Sequence, residues 1–79
     1  MQLSFTQAHE LKGLPAKMDK LETEIRTCEE ALADPQFFAQ NPKEFHATLA
    51  RFQTAKKQLE TFEARWLELE ELRSAGEGA

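Results

Sequence analysis

Large apolar side chains return with a fixed rhythm through the first half of the chain. Leu14, Met18, Leu21, Ile25, Cys28 and Leu32 are separated by four, three, four, three and four residues, and polar side chains fill almost everything between. An α-helix turns once every 3.6 residues, so this alternation puts all six on one stripe, the a/d seam by which helices pair. Glu22–Arg26 and Lys20–Glu24, each four apart, reinforce the exposed side. The pattern predicts a helix over residues 15–33. Asp34-Pro35 closes it, because proline lacks an N–H and drives the residue before it out of the α region.

A second apolar series fills the other half: Phe45, Leu49, Phe52, Ala55, Leu59, Phe62, Trp66, Leu69 and Leu72. It predicts a helix over 42–73, with Asn41 as N-cap, Pro42 at its first position and Glu44 at its third. The rhythm slips between Phe52 and Ala55, where two intervals of three adjoin. Such a stammer overwinds the pairing locally and makes Ala55 and Lys56 share the core-facing position. Residues 34–41 form the tip, read as a single 3₁₀ turn in which Phe37 or Phe38 folds back over the open end of the seam.

Ser4-Phe5-Thr6-Gln7 has the form of a capping box, with Leu3 placed as a staple, and opens a short helix over 5–12. Gly13-Leu14-Pro15 interrupts that helix and kinks it into the next. Residues 76–79 have no periodicity and are expected to be a disordered tail.

The lengths then set the architecture. At 1.5 Å per residue the two main helices are roughly 28 and 48 Å long, and a short connection makes them antiparallel. Leu32 falls near Phe45, Ile25 near Phe52 and Leu14 near Phe62. The short first helix then brings Phe5, Ala8 and Leu11 to Trp66, Leu69 and Leu72. The expectation is an all-α, antiparallel two-helix coiled-coil hairpin within one domain, residues 1–75.

Composition agrees with it. Six Phe, one Trp and a Leu series supply the core that a chain of 79 residues needs if it has no staples, while Val and Tyr are absent, which argues against a sheet. Charged residues make up 30 % of the chain and the net charge is -4. Any anion binding must therefore come from a local patch. No apolar run approaches the ~20 residues of a membrane span, and no secretory leader is seen, so the cytoplasm is the default. Cys28 lies on the seam, where a thiol serves as a small core residue.

Nothing in the chain points to catalysis. There is no glycine-rich phosphate loop. Ser4 is a cap and Ser74 lies near the end. His9 and His46 sit on different helices, without a carboxylate or thiol at ligand spacing. Glu68, Glu70 and Glu71 read as a solvated face, and Phe45, Phe52, Phe62 and Trp66 as core. No cofactor or metal is expected in this chain, and no small-molecule substrate. The basic residues are more suggestive. Lys17, Lys20, Lys56 and Lys57 come together at mid-hairpin, with Arg51 and Arg26 extending the strip toward the tip. Such a strip can track a phosphate backbone without reading bases. The alternative is that these residues solvate the hairpin and pair with nearby Glu.

Three stretches carry a resemblance that covers nearly the whole chain. Leu3-Ser4-Phe5-Thr6-Gln7-Ala8-His9-Glu10-Leu11-Lys12-Gly13-Leu14-Pro15 resembles an opening of the form L-S-[FY]-K-x-x-x-E-L-x-x-L-P. Ala33-Asp34-Pro35-Gln36-Phe37-Phe38 resembles a tip of the form A-D-x-x-[FY]-[FY]. Arg65-Trp66-Leu67-Glu68-Leu69-Glu70 resembles a close of the form R-W-x-x-L-E. In that order they are the marks of the C-terminal domain of Uup-type ABC-F proteins. Thr6 stands where that family usually has a basic residue. The resemblance implies a piece of a cytoplasmic ATPase with two ATP-binding cassettes, which would take ATP and magnesium, and no membrane domain. It further implies that this hairpin binds DNA, or else serves as a spacer contacting the ribosome or the parent's cassettes.

Overall fold

The structure, a computed structural model, describes residues 3–77. It is a helical hairpin 59 Å long and 18 by 15 Å across. Helix α1 (Phe5–Leu32) runs to the tip, α2 (Pro35–Gln40) turns the chain, and α3 (Pro42–Glu77) returns along α1. No strand occurs among the described residues.

Local chemistry sets the element ends. The Ser4 hydroxyl accepts the Gln7 N–H at 3.1 Å, and the Gln7 amide oxygen accepts the Ser4 N–H at 3.0 Å, so both partners of the capping box are satisfied. At the tip, the Asp34 carboxylate accepts the Gln36 N–H at 2.9 Å, while Pro35 occupies a first-turn position that needs no donor. The Asn41 carbonyl accepts the Phe45 N–H at 2.9 Å as α3 begins.

The element boundaries depart from the sequence reading in three places. The chain does not break at Gly13-Leu14-Pro15: residues 5–12 are simply the first turns of α1, and Pro15 lies inside the helix. Proline there removes the donor for one carbonyl, that of Leu11. The continuous helix keeps Leu14 on the seam, where it is 1 % exposed. The unbroken helix also carries Phe5 to the face opposite the seam, so it is 88 % exposed, and Ala8 is exposed as well. Neither packs on α3. Second, the tip is a six-residue α-helix rather than a lone 3₁₀ turn. Third, α3 continues to Glu77, past the expected end at 73, so Gly76 and Glu77 are helical; the rest of the expected tail, residues 78–79, lies outside the described residues.

The core sits between α1 and α3. Leu14, Leu21 and Cys28, seven residues apart, are buried; Met18 and Ile25 between them, and Leu32 beyond, are half-buried. On α3 the buried residues are Ala55 and Leu69, with Phe62 half-buried midway. The expected stammer dissolves here. Thr48 is half-buried beside Leu49, and a seam through Phe45, Thr48, Phe52, Ala55, Leu59, Phe62, Trp66 and Leu69 alternates three and four without interruption. Ala55 alone takes the core position, and Lys56 is exposed. At the tip, the Phe37 and Phe38 rings meet Phe45 edge-on at 5.7 and 5.1 Å, closing the seam. Phe37 is half-buried and Phe38 is 51 % exposed.

Candidate nucleic-acid interface

The two sides of the seam carry different chemistry. On one flank α1 presents Glu10, Lys17 and Glu24 at intervals of seven, and α3 presents Arg65, Gln58 and Arg51 at the same interval in the opposite direction. Seven residues are close to two turns, so each set forms a row along its helix. The outer members meet across the seam. Glu10 holds Arg65 through two hydrogen bonds, from Nε at 2.7 Å and from an η nitrogen at 3.0 Å, and Arg65 also reaches Glu68 at 2.5 Å. Glu24 pairs with the Nε of Arg51. Glu10 and Arg65 are each about one-third exposed, at 35 % of the side chain. The Arg65 hydrogen bonds hold the Glu10 carboxyl below its usual 4.5, against a smaller opposing effect of desolvation. The same contact raises the Arg65 guanidinium.

Lys17 occupies the middle of this flank. Its Nζ lies 5.9 Å from the centre of the Phe62 ring, within cation–π range. Phe62 in turn lines a shallow groove with Thr54, Lys57, Gln58 and Thr61. Lys20 is one turn beyond Lys17 and four residues before Glu24, which keeps it on this flank. Lys17, Lys20 and Lys57 are all exposed, and none forms an ion pair among the described residues. The two α1 carboxylates that bracket them, Glu10 and Glu24, are held by arginines. The mid-rod flank is thus locally basic in a chain that is net acidic.

The six cations read from the sequence therefore do not form one strip. Lys17, Lys20 and Arg51 share a flank, with Lys57 on the adjoining outer face of α3 beside Gln58 and Thr61, but Arg51 is engaged by Glu24. Lys56 lies on the other flank, two turns before Glu63, with its Nζ 5.1 Å from the Phe52 ring centre. Arg26, four residues after Glu22, belongs to that side too. Sequence reasoning missed Thr54, Gln58 and Thr61 as polar companions of the lysines, and it missed the Glu–Arg rungs. The matching intervals of seven on the two helices were the available signal.

The opposite flank holds an open groove of about 620 Å³, floored by Met18, Trp66 and Leu67 and edged by Asp19, Glu22 and Glu63. His9 and His46 are exposed on separate helices, and His46 packs edge-on against Phe38 and Phe45. No group of three or more His, Cys, Asp or Glu side chains among the described residues is placed to hold a metal ion. No helix among them is long and apolar enough to cross a membrane.

Comparison with known proteins agrees with the resemblance read from the motifs. The family described as ABC transporter C-terminal domain matches residues 2–71. Two proteins of Haemophilus influenzae (strain Rd), described as ATP-binding protein Uup-like and ATP-binding protein Uup, are each 37 % identical over 78 residues, 99 % of this chain. The chain spans only 17 % and 12 % of their respective lengths. No solved structure gives a significant match.

Proposed function

The chain belongs to the ABC transporter C-terminal domain family, and on that premise we propose that it is the non-catalytic, DNA-binding accessory domain of a cytoplasmic ATP-binding protein. ATP and magnesium belong to the remainder of that parent. The observation that carries the reading is the flank, with the adjoining face of α3, on which Lys17, Lys20 and Lys57 stand unpaired while Glu10 and Glu24 are neutralised by arginine. Three ammonium groups outside any ion pair, beside the hydroxyl of Thr54 and the amide of Gln58, suit the phosphates of a duplex and offer little for base recognition; the Thr61 hydroxyl donates instead to the Lys57 carbonyl. Arg51 is committed to Glu24 and Lys56 faces away, so both contribute less.

A salt titration of binding to a labelled duplex, read by fluorescence anisotropy, tests this. Three phosphate contacts give a slope of log K against log salt of about -2.7. Lys17→Gln and Lys57→Gln should each lower its magnitude by about 1, whereas Lys56→Gln should leave it nearly unchanged. Binding that ignores salt, or that is lost through Lys56 and not through Lys17 or Lys57, contradicts the proposal. The acid-rimmed apolar groove favours a second reading, a spacer or protein-interaction hairpin contacting the ribosome or the parent's cassettes. Absence of any DNA binding by the wild-type chain would leave that one standing.

A further inference from the structure

We propose that the groove between α1 and α3 on the flank away from Lys17, Lys20 and Lys57 docks a basic amphipathic helix of a partner protein. Its floor is apolar and open: Met18 and Trp66 are half-buried, and Leu67 is 53 % exposed, one of three large apolar residues so exposed among the described ones. Isolated exposed leucines are ordinary, but one set beside a tryptophan, a methionine and a proline in a single depression is an apolar patch of the kind that partners cover. Two parallel ridges with a trough between them match the shape of a third helix.

Charge selects the occupant. Asp19, Glu22 and Glu63 rim the trough, no cation lines it, and none of the three carboxylates takes part in an ion pair among the described residues. A helix entering with leucine-like side chains toward Trp66 therefore meets negative charge on both sides, one rim on each helix. Lysine or arginine flanking its apolar stripe is attracted, and glutamate there is repelled. A second copy of this chain presented through the same face would set acidic rim against acidic rim, which opposes a symmetric pair. The surface is distinct from the lysine flank, so the proposal stands or falls separately from DNA binding.

The test uses the 79-residue chain and three synthetic peptides that lack tryptophan. One is an 18-residue helix of Leu and Lys with Leu at i, i+3, i+4 and i+7; one replaces every Lys by Glu; one shuffles the first so that no apolar stripe remains. Trp66 is the only tryptophan, so its emission reports the groove directly, and anisotropy of labelled peptide gives affinity. The striped Leu/Lys peptide should saturate and shift Trp66 emission to the blue, while the other two bind at least tenfold more weakly. Leu67→Lys should weaken binding at least tenfold. Glu22→Gln with Glu63→Gln should weaken it several-fold and flatten its salt dependence, and Lys17→Gln should leave it unchanged. Helicity at 222 nm confirms folding of each variant, and Leu67 and both glutamates are exposed positions that tolerate change. Equal binding of the Lys and Glu peptides, or of the shuffled one, overturns the proposal. So does full affinity in Leu67→Lys, and so does a free chain that sediments as a dimer with Trp66 already shielded.

Discussion

Leu69→Ala probes the seam where it is deepest. Leu69 is 0 % exposed and lies toward the free end of the hairpin, two heptads from Ala55. The substitution removes three carbon groups, worth about 2.4 kcal/mol of transfer at ~0.8 kcal/mol each. It also leaves a cavity, which adds a further cost that depends on how far the site relaxes. A two-helix rod can close partly around the void, so the total should be about 3 kcal/mol, near the low end of the known range for such changes. A 79-residue chain has roughly 4–12 kcal/mol in all, so this is a large share. The melting temperature should fall by about 12–24 °C. Leu67→Ala is the matched control: same side chain, two residues away, but 53 % exposed, and it should cost no more than about 0.5 kcal/mol. Guanidinium unfolding followed by circular dichroism at 222 nm measures both, with the slope m unchanged if only native packing is affected. A loss below about 1 kcal/mol at Leu69, or equal losses at the two sites, would refute the assignment of the seam.

The Glu10–Arg65 rung makes stability depend on acid. Because the folded carboxyl titrates below its usual 4.5, its contribution is complete above that value and disappears as pH falls through the lowered folded value. Glu10→Gln should therefore shallow the loss of melting temperature below about pH 4.5 without changing the slope between pH 5 and 7; superimposable profiles for the two proteins would exclude the effect. Ala55→Leu should overpack a buried small-residue position, at 2 % exposure, and cost about 1–3 kcal/mol in chemical denaturation, whereas Lys56→Leu at the exposed neighbour should be close to neutral.

The hairpin was legible because its information is local. Leu14, Leu21 and Cys28 mark their own face by spacing, and Asp34-Pro35 and Asn41-Pro42 mark the turn by backbone chemistry. The readings that failed each involved a residue whose role is settled by its neighbours across the structure. Pro15 interrupts a helix in isolation, yet burial of Leu14 and the seam on both sides of it hold α1 continuous. Thr48 carries no apolar signal, so the letters alone trace the seam through Leu49 with a stammer. Phe5 is hydrophobic by letter and exposed by geometry, since the unbroken helix turns it away from α3. The basic residues were found as a set but not sorted into flanks. That sorting depends on the antiparallel register, which the Glu10–Arg65 and Glu24–Arg51 pairs now supply.

Amide chemical-shift mapping of the ¹⁵N-labelled chain against a short DNA duplex, at about 50 mM salt where phosphate contacts are strong, tests most directly whether the two flanks do different work. Shifts should concentrate at Lys17, Lys20, Lys57, Gln58 and Thr61, with the Trp66 indole N–H unmoved. Shifts centred instead on Met18, Trp66 and Leu67, or none at saturating duplex, would contradict it.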